Sequence, residues 1–469
     1  MDHLPPAGDP LGGIRGRVLR SRWTGPLLAL LAALVIFPTL GRSGLEDWDE
    51  AIYASVSRQV YLTGDLVRLS LNGEPYFNKP PLFFALTALS YAAFGISEFS
   101  ARFVSAAFGV LDVLLAYLLV ARLCGKMDGL LTGLFLLSSV RYLSIIQHGR
   151  MESLTAFFIT LAVYCLARLS EGPRWTYLFF ASSGLCVLAK GAMGLLPFCI
   201  AAAYLALDAP ARTALVRRHV AGGTAAFLAI ALPWFLLAAL ANGPAFLDRS
   251  LGHEVGARMA RAIEGHEGTP LFYLVDIALA KPSAWGFLLP VSAPYMIYRA
   301  WRSRSAALAL MSAFLAVPLF IFSFAVGTKL PWYGFTMYPP AAFSAVLLVA
   351  AARGRAAWLR RAVIAAAVVL VVAYNFAKRD KGLALKELGP AARASLGEGS
   401  HLIAYRLPPQ ALHFYTGRKV LAVQSPEELS AHAGDLAVFR RKDLEGETPG
   451  DRVFGNADYL LVRLGGPGR

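Results

Sequence analysis

Apolar runs of bilayer length recur along this chain, and no other feature limits its fold as strongly. A helix needs roughly 17–25 predominantly apolar residues to cross the hydrocarbon core of a membrane. Runs of that kind fall at about 24–41, 103–123, 127–146, 153–169, 175–190, 191–207, 220–241, 284–300, 306–326, 331–352 and 361–377. The pattern predicts a polytopic α-helical membrane protein with about 11 transmembrane helices. Composition agrees: 57% of the residues are hydrophobic and 16% charged, against about 25% charged in an average soluble domain. Mean hydropathy is +0.53. One soluble core cannot enclose that much apolar surface, which excludes an ordinary cytosolic enzyme, a disordered chain, a collagen-like fibre and a small disulfide scaffold.

The net charge of +15 reads as topology. Lys and Arg concentrate in short cytoplasmic loops. Arg15, Arg17, Arg20 and Arg22 precede the first run, which reads as an uncleaved span rather than a signal peptide. Alternate loops then carry Arg122/Lys126, Arg168/Arg174, Arg212/Arg217/Arg218, Arg299/Arg302/Arg304 and Arg353/Arg355/Arg360/Arg361. All fall on one side only if the further apolar stretch 80–96 does not span. That stretch, opened by Pro80-Pro81, is therefore read as a juxtamembrane helix at the outer face. The opposite loops hold the acids: Glu46, Asp47, Asp49, Glu50, Asp65, Glu74, Glu98, Glu152, Asp248, Glu254, Glu264, Glu267 and Asp276. The expected organisation is a basic cytoplasmic tail over 1–23, a transmembrane domain over 24–377 with outer loops 42–102 and 242–283, and an outer domain over 378–469.

Charges of both signs become frequent after Lys378. Short β-like runs at His401–Leu407, Ala411–Tyr415, Lys419–Val423, Leu436–Phe439 and Tyr459–Leu464, with a helix opening at Ser425-Pro426-Glu427-Glu428, predict a small C-terminal α/β domain in the periplasm. Lys381, Lys386 and Arg393 read as a solvated linker, with contact to anionic lipid as the alternative. The four cysteines, Cys124, Cys165, Cys186 and Cys199, lie in or beside apolar runs and read as small hydrophobes.

The outer segments carry the candidate chemistry. In DWDEAIY (47–53), Asp47 serves as an N-cap and Glu50 as the capping-box acid on one reading; on the other, Asp49 or Glu50 is a general base in a cleft at the membrane surface. In PYFNKPPL (75–82), Lys79 before a double proline either binds phosphate as a point charge or snorkels toward headgroups. Arg150 and Glu152 stand where the chain re-enters the membrane, and Lys190 sits between two apolar runs, where a charge faces a cavity or a partner or else snorkels from a tight turn. His253 and His266, near Glu254, Arg258 and Arg261, are solvated loop residues by default. Metal ligation and contact with an anionic lipid or sugar are the alternatives, and the spacing matches no standard metal site. In GTKLPWY (327–333), Lys329 and Tyr333 join an interfacial Trp332 that the aromatic belt also explains. Together these residues come from distant segments that the topology places at one membrane face, which suits a reaction on a lipid-linked phosphate.

In this order the motifs are recognisable: the acids before Ile-Tyr, then Tyr-Phe-Asn-Lys-Pro-Pro-Leu, Arg-Met-Glu, Ala-Lys-Gly and Thr-Lys-Leu-Pro-Trp-Tyr. Over residues 45 to about 350 the chain resembles the GT-C fold membrane glycosyltransferases. Within them it is similar to the bacterial branch that unites protein O-mannosyltransferase-like enzymes and lipid A aminoarabinose transferases. The resemblance implies a polyprenyl-phosphate-sugar donor, an acceptor that is a lipid, glycan or protein, and a site at the outer face of the inner membrane. It places the catalytic base on Asp49, with Glu50 and Glu152 as further catalytic acids. The candidate set then takes Lys79, Lys190, Lys329 and Arg58 as donor phosphate-binding, and Tyr53, Asn78, Arg150, Tyr333, His253 and His266 as cavity or acceptor residues; the resemblance itself places Lys79 on the donor phosphate and Lys190, Lys329 and Tyr333 on the wall of the same cavity. No cofactor is certain from the sequence, and a divalent metal stays open. Where the aminoarabinose transferases have Glu before the lysine, this chain has Asn78, as part of the broader branch does. The expected chemistry is inverting displacement at the anomeric carbon. A polyprenyl-lipid or small-molecule transporter and a non-catalytic scaffold for the outer domain are the rival readings; the first predicts internal repeats and midplane charges, of which the sequence has no repeat.

Overall fold

A computed structural model describes residues 21–208, 219–263, 265–351, 365–366, 369–370, 373–374, 382–397, 400–444 and 449–465. The span expected at 361–377 and the basic loops at 212–218 and 353–361 lie wholly or largely outside the described residues. Two compact units emerge. One comprises the described parts of Met1–Phe37, Ser105–Gln147 and Met151–Phe376, the other those of Pro38–Val104, His148–Arg150 and Ala377–Arg469. By compactness the first outer loop thus groups with the C-terminal segment.

The first unit is helical. Among the described residues, five helical stretches are long and apolar enough to cross a membrane by length and composition: Glu98–Cys124, which begins in the other unit, Arg174–Leu207, Val220–Asn242, Ala306–Ala325 and Pro331–Ala351. Val220–Asn242 is almost uniformly apolar, yet only 11% of its most apolar window is buried, as expected of a helix whose partner is lipid. Arg174–Leu207 is broken by a 3₁₀ turn at Gly191–Leu195 that follows Lys190, where Gly191 takes φ 59°.

The run expected to span at 127–146 is two helices, Lys126–Leu137 and Val140–Ile146. The break has a local cause and a tertiary one. Ser139 is an N-cap whose hydroxyl accepts from the Tyr142 N–H. The segment before Trp285 then pairs across it, with Val140 N–H donating to the Pro282 carbonyl (3.0 Å) and Trp285 Nε1 to the Phe135 carbonyl (2.6 Å). The runs at 153–169 and 284–300 give the 15-residue helices Glu152–Leu166 and Leu289–Ser303.

The second unit combines outer-loop helices with a sheet domain. Leu82–Phe94 has 13 residues, about 20 Å at 1.5 Å per residue. It packs on Asp49–Thr63: the Tyr53 ring meets Phe83 and Phe84 edge-on, each at 6.0 Å. Between these helices the strands β1 (Ser70–Leu71) and β2 (Glu74–Pro75) form a small hairpin.

The C-terminal segment forms a five-stranded mixed sheet from β3 (Leu402–Tyr405), β4 (Val420–Val423), β5 (Leu436–Arg440), β6 (Gly450–Gly455) and β7 (Tyr459–Leu464), ordered β4-β3-β5-β7-β6. β3, β4 and β5 are parallel; β7 runs antiparallel to β5 and β6. The helices Leu383–Ser395 and Gln410–Thr416 cover one face, and Leu429 of the short helix Pro426–Ser430 packs on the other. Two expectations change here, and one strand was not foreseen. Ala411–Tyr415 is helix rather than strand, entered from Pro409 and ended by Gly417 at φ 66°. The region of Lys386 and Arg393 is a helix packed on the sheet rather than a linker; Lys386 pairs with Glu98 (3.1 Å) and Arg393 donates to the Tyr415 carbonyl. Strand β6 had no clear signal in the sequence.

Candidate active site

In the second unit the site is built around a buried ion pair. Glu50, 1% exposed, lies one residue inside the Asp49–Thr63 helix. Its carboxylate accepts from Arg102 Nε (2.7 Å) and Nη2 (3.0 Å), and from the N–H groups of Gly149 (2.8 Å) and Glu46 (2.8 Å). Arg102, 2% exposed, also donates to the carbonyls of Leu40 (2.7 Å), Ser43 (2.9 Å) and Gly44 (2.7 Å). Burial opposes ionisation of Glu50, but Arg102 and His148 override it, so its pKa is pulled down to about 2. This carboxylate is a permanent anion with every approach occupied. It organises the loop and is not placed as a base.

That arrangement positions Asp49. Holding the Gly149 N–H fixes the segment 148–150, and His148 reinforces it at 3.5 Å from Glu46. Arg150 Nη1 then lies 3.8 Å from Asp49 Oδ2, a loose pair with side chains 18% and 29% exposed. Asp49 opens the helix, where the backbone dipole favours an anion, and its half-buried carboxylate faces Arg150. The N-cap position is Trp48, not Asp47: its backbone sits at φ 71°, ψ −129° and its ring is 65% exposed. Asp47 instead accepts from the Ala411 N–H (3.3 Å).

Lys79 and Asn78, both half-buried, occupy a bend between β2 and the Leu82–Phe94 helix. Tyr76, just before them, donates its N–H to the Leu69 carbonyl (2.8 Å) and packs its ring on Phe84, which also meets Tyr53. The lysine motif is therefore docked on the helix that carries Asp49. Arg58 lies nine residues after Asp49, about 13 Å along the axis, against Gly417, with Arg393 close enough to lower its affinity for a proton after burial has done so.

In the first unit Glu152 is the first residue of its helix and Lys190 the last of Arg174–Lys190. Lys190 Nζ donates to Glu152 Oε1 at 2.6 Å, with side chains 7% and 2% exposed. Each charge stands at the helix end whose dipole favours it. The ammonium also lies 5.5 Å from the centre of the Tyr333 ring. Lys329 is placed differently from the expectation. Its Nζ donates to the carbonyls of Phe322 (2.6 Å), Ser323 (2.8 Å) and Val326 (2.6 Å), closing the C-terminal end of the Ala306–Ala325 helix. All three donors are taken by backbone, so phosphate contact is not what this lysine is built for.

His253 lies 3.4 Å from Glu254, which also meets Arg258 at 3.4 Å; His266 packs on Trp332 (6.4 Å) and offers its carbonyl to the Lys329 N–H. The two histidines have separate partners, and among the described residues no group of three or more His, Cys, Asp or Glu converges as a metal site would. Sequence reasoning missed Arg102. Its signal was a charge one turn inside a 27-residue apolar helix, a position that calls for a buried partner.

Residues 78–236 match the profile of the dolichyl-phosphate-mannose-protein mannosyltransferase family. An uncharacterised protein of Aquifex aeolicus is 31% identical over 67% of this chain and 61% of its own length. The undecaprenyl phosphate-alpha-4-amino-4-deoxy-L-arabinose arabinosyl transferase 2 of Pseudomonas fluorescens is 29% identical over 67% of this chain and 57% of its own. The chain thus spans about three fifths of the length of these curated relatives. Among solved structures, ArnT from Cupriavidus metallidurans bound to undecaprenyl phosphate superposes with TM-score 0.77 at 19% identity, over 95% of this chain and 100% of that one. The Archaeoglobus fulgidus oligosaccharyltransferase gives 0.60 at 13% identity, over 87% and 65%. The chain accordingly has the fold of the GT-C membrane glycosyltransferases, and its residues 78–236 carry the protein mannosyltransferase family signature.

Proposed function

We propose that the chain moves a sugar from a polyprenyl-phosphate donor to an acceptor hydroxyl at the outer face of a bacterial inner membrane, with inversion. The observation that carries this reading is the division of labour between two adjacent acids: Glu50 is locked to Arg102, while Asp49 is left accessible beside Arg150. Asp49 takes the acceptor proton. The acceptor oxygen attacks the anomeric carbon, and the bond from that carbon to the phosphate oxygen breaks. The leaving polyprenyl phosphate carries the electron pair away, and Lys79 offsets its charge. The fold match to a protein solved with undecaprenyl phosphate supports the donor class, and the names of the Pseudomonas relatives support glycosyl transfer.

The test is Asp49→Asn in purified protein given a polyprenyl-phosphate sugar, with release of polyprenyl phosphate followed by mass spectrometry. Loss of general-base catalysis lowers turnover by about 10²–10⁴-fold, with insertion and melting unchanged. Turnover at the unmutated level removes Asp49 from the chemistry. Lys79→Ala weakens donor binding, and unchanged donor affinity removes it from the phosphate site.

A further inference from the structure

The first outer loop and the C-terminal sheet belong to one compact unit, and they meet at two places that flank the proposed chemistry. At the first, the Leu45 N–H donates to the Tyr415 hydroxyl (2.7 Å) and Asp47 accepts from the Ala411 N–H (3.3 Å), so the helix Gln410–Thr416 holds the chain on its way to Asp49. The second is the hairpin before Lys79. Its turn is Asn72-Gly73, with φ 55° and 84°. A two-residue hairpin turn of this kind needs two left-handed residues, and Asn-Gly adopts that pair readily.

Asn72 does more than turn the chain. Its Nδ2 donates to the Val420 carbonyl (2.8 Å), and its Oδ1 accepts from the Val420 N–H (2.8 Å). Val420 opens β4, an edge strand of the sheet. Both backbone groups of a strand residue point to the same side, and here they point off the edge. The Asn72 amide therefore stands where a neighbouring strand would pair. Few residues could do this. Glycine suits the turn but leaves Val420 unpaired, and aspartate suits the turn but sets a carboxylate against the Val420 carbonyl. Among residues that tolerate the left-handed turn, asparagine supplies both a donor and an acceptor at that reach. The nearby Lys419–Glu74 pair (3.1 Å) is exposed on both sides and contributes little.

The path from this anchor to Lys79 is short. Tyr76 closes the hairpin by donating its N–H to the Leu69 carbonyl and packs on Phe84; beyond Lys79, Pro80 and Pro81 restrict the backbone into the helix Leu82–Phe94. Lys79 thus lies between two fixed points, one of them set by the C-terminal sheet. A lysine is a point charge on a flexible stem, so the backbone that carries it decides where the charge can reach. A misplacement of about 1 Å can lower activity about 10²-fold. We propose that the sheet domain is a positioning device for the site, and that Asn72 is the positioning residue through which the β4 edge sets Lys79. This rests on the glycosyltransferase reading, in which Lys79 holds the phosphate of a polyprenyl donor.

Undecaprenyl phosphate serves as the probe, titrated into the full chain in phosphatidylcholine nanodiscs and counted by native mass spectrometry. Asn72→Gly keeps the turn, so melting temperature should hold while affinity falls about tenfold. In a Lys79→Ala background the same change should cause no further loss, because its effect passes through that lysine. Lys419→Ala should leave affinity within about twofold. Unchanged affinity in folded Asn72→Gly, losses that add across positions 72 and 79, or an equal loss in Lys419→Ala each overturn the positioning role and leave Lys79 on the phosphate. Unchanged affinity in Lys79→Ala removes the lysine from the phosphate site and this inference with it, so the two failures are told apart.

Discussion

Replacing Arg102 by Met should loosen the loop that carries Asp49 without touching any group proposed for the chemistry. The substitution leaves Glu50 buried and removes the guanidinium from the carbonyls of Leu40, Ser43 and Gly44. Deleting one partner of a buried ion pair costs about 3–5 kcal/mol. Linkage gives a second figure. The Glu50 pKa falls from 4.5 to about 2, worth about 3 kcal/mol at 1.36 kcal/mol per unit. The sign is that of a depressed acid: the contribution is fully present above pH 4.5 and is lost as pH falls toward 2. Together the two figures correspond to about 10²–10⁴ in the local opening equilibrium. Hydrogen exchange reads this directly, because the amides of Glu46 and Gly149 donate to Glu50. Peptides covering 43–52 and 147–151 should lose protection by that factor, and the wild type should lose part of its stability between pH 4.5 and 2. Glu50→Gln with Arg102→Met should recover about 1–3 kcal/mol relative to the sum of the single changes. Unchanged exchange at Glu46 and Gly149 in Arg102→Met would refute the idea that this pair holds the loop.

Three further outcomes follow from separate contacts. Lys190→Met strands Glu152, buried at 2% exposure, so it should cost about 3–5 kcal/mol, and Glu152→Gln in the same chain should return part of it; equal melting of the single and double variants contradicts the pairing. Lys329→Met should lower the melting temperature through three orphaned carbonyls while leaving donor affinity unchanged, and a selective loss of donor binding would restore the phosphate role. Tyr415→Phe removes a hydroxyl that accepts from the Leu45 N–H (2.7 Å) and donates to Glu98 (3.1 Å); thermal melts should show a loss of about 1–3 kcal/mol, and no loss would mean that the contact contributes nothing.

What the sequence revealed was periodicity and sign of charge. Apolar runs are set by solvent, so most helices could be found without knowing their neighbours. Pro80-Pro81 marks where the helix Leu82–Phe94 begins, and that much of 80–96 was legible. The misreadings share a cause in tertiary context. Ala411–Tyr415 is as apolar as a strand, and only Pro408-Pro409 before it and Gly417 after it mark a seven-residue helix. The split at Ser138-Ser139 depends on backbone pairing with Pro282. In the site, residue types were legible but their assignments were not. Asp49 and Glu50 are neighbours of the same chemistry, and Arg102, 52 residues away in the sequence, separates them into an accessible acid and a buried anchor. Lys329 had the look of a phosphate ligand until three carbonyls claimed it.

Trp48 has a wider consequence. A non-glycine residue held at φ 71°, ψ −129° carries about 1–3 kcal/mol of backbone strain. Its indole, 65% exposed, recovers little of that by burial. Folding alone would favour glycine at this position. A library of this chain selected for heat resistance alone should therefore drift to Trp48→Gly, and that variant should melt higher than the parent; equal melting would mean the backbone at 48 stores no strain.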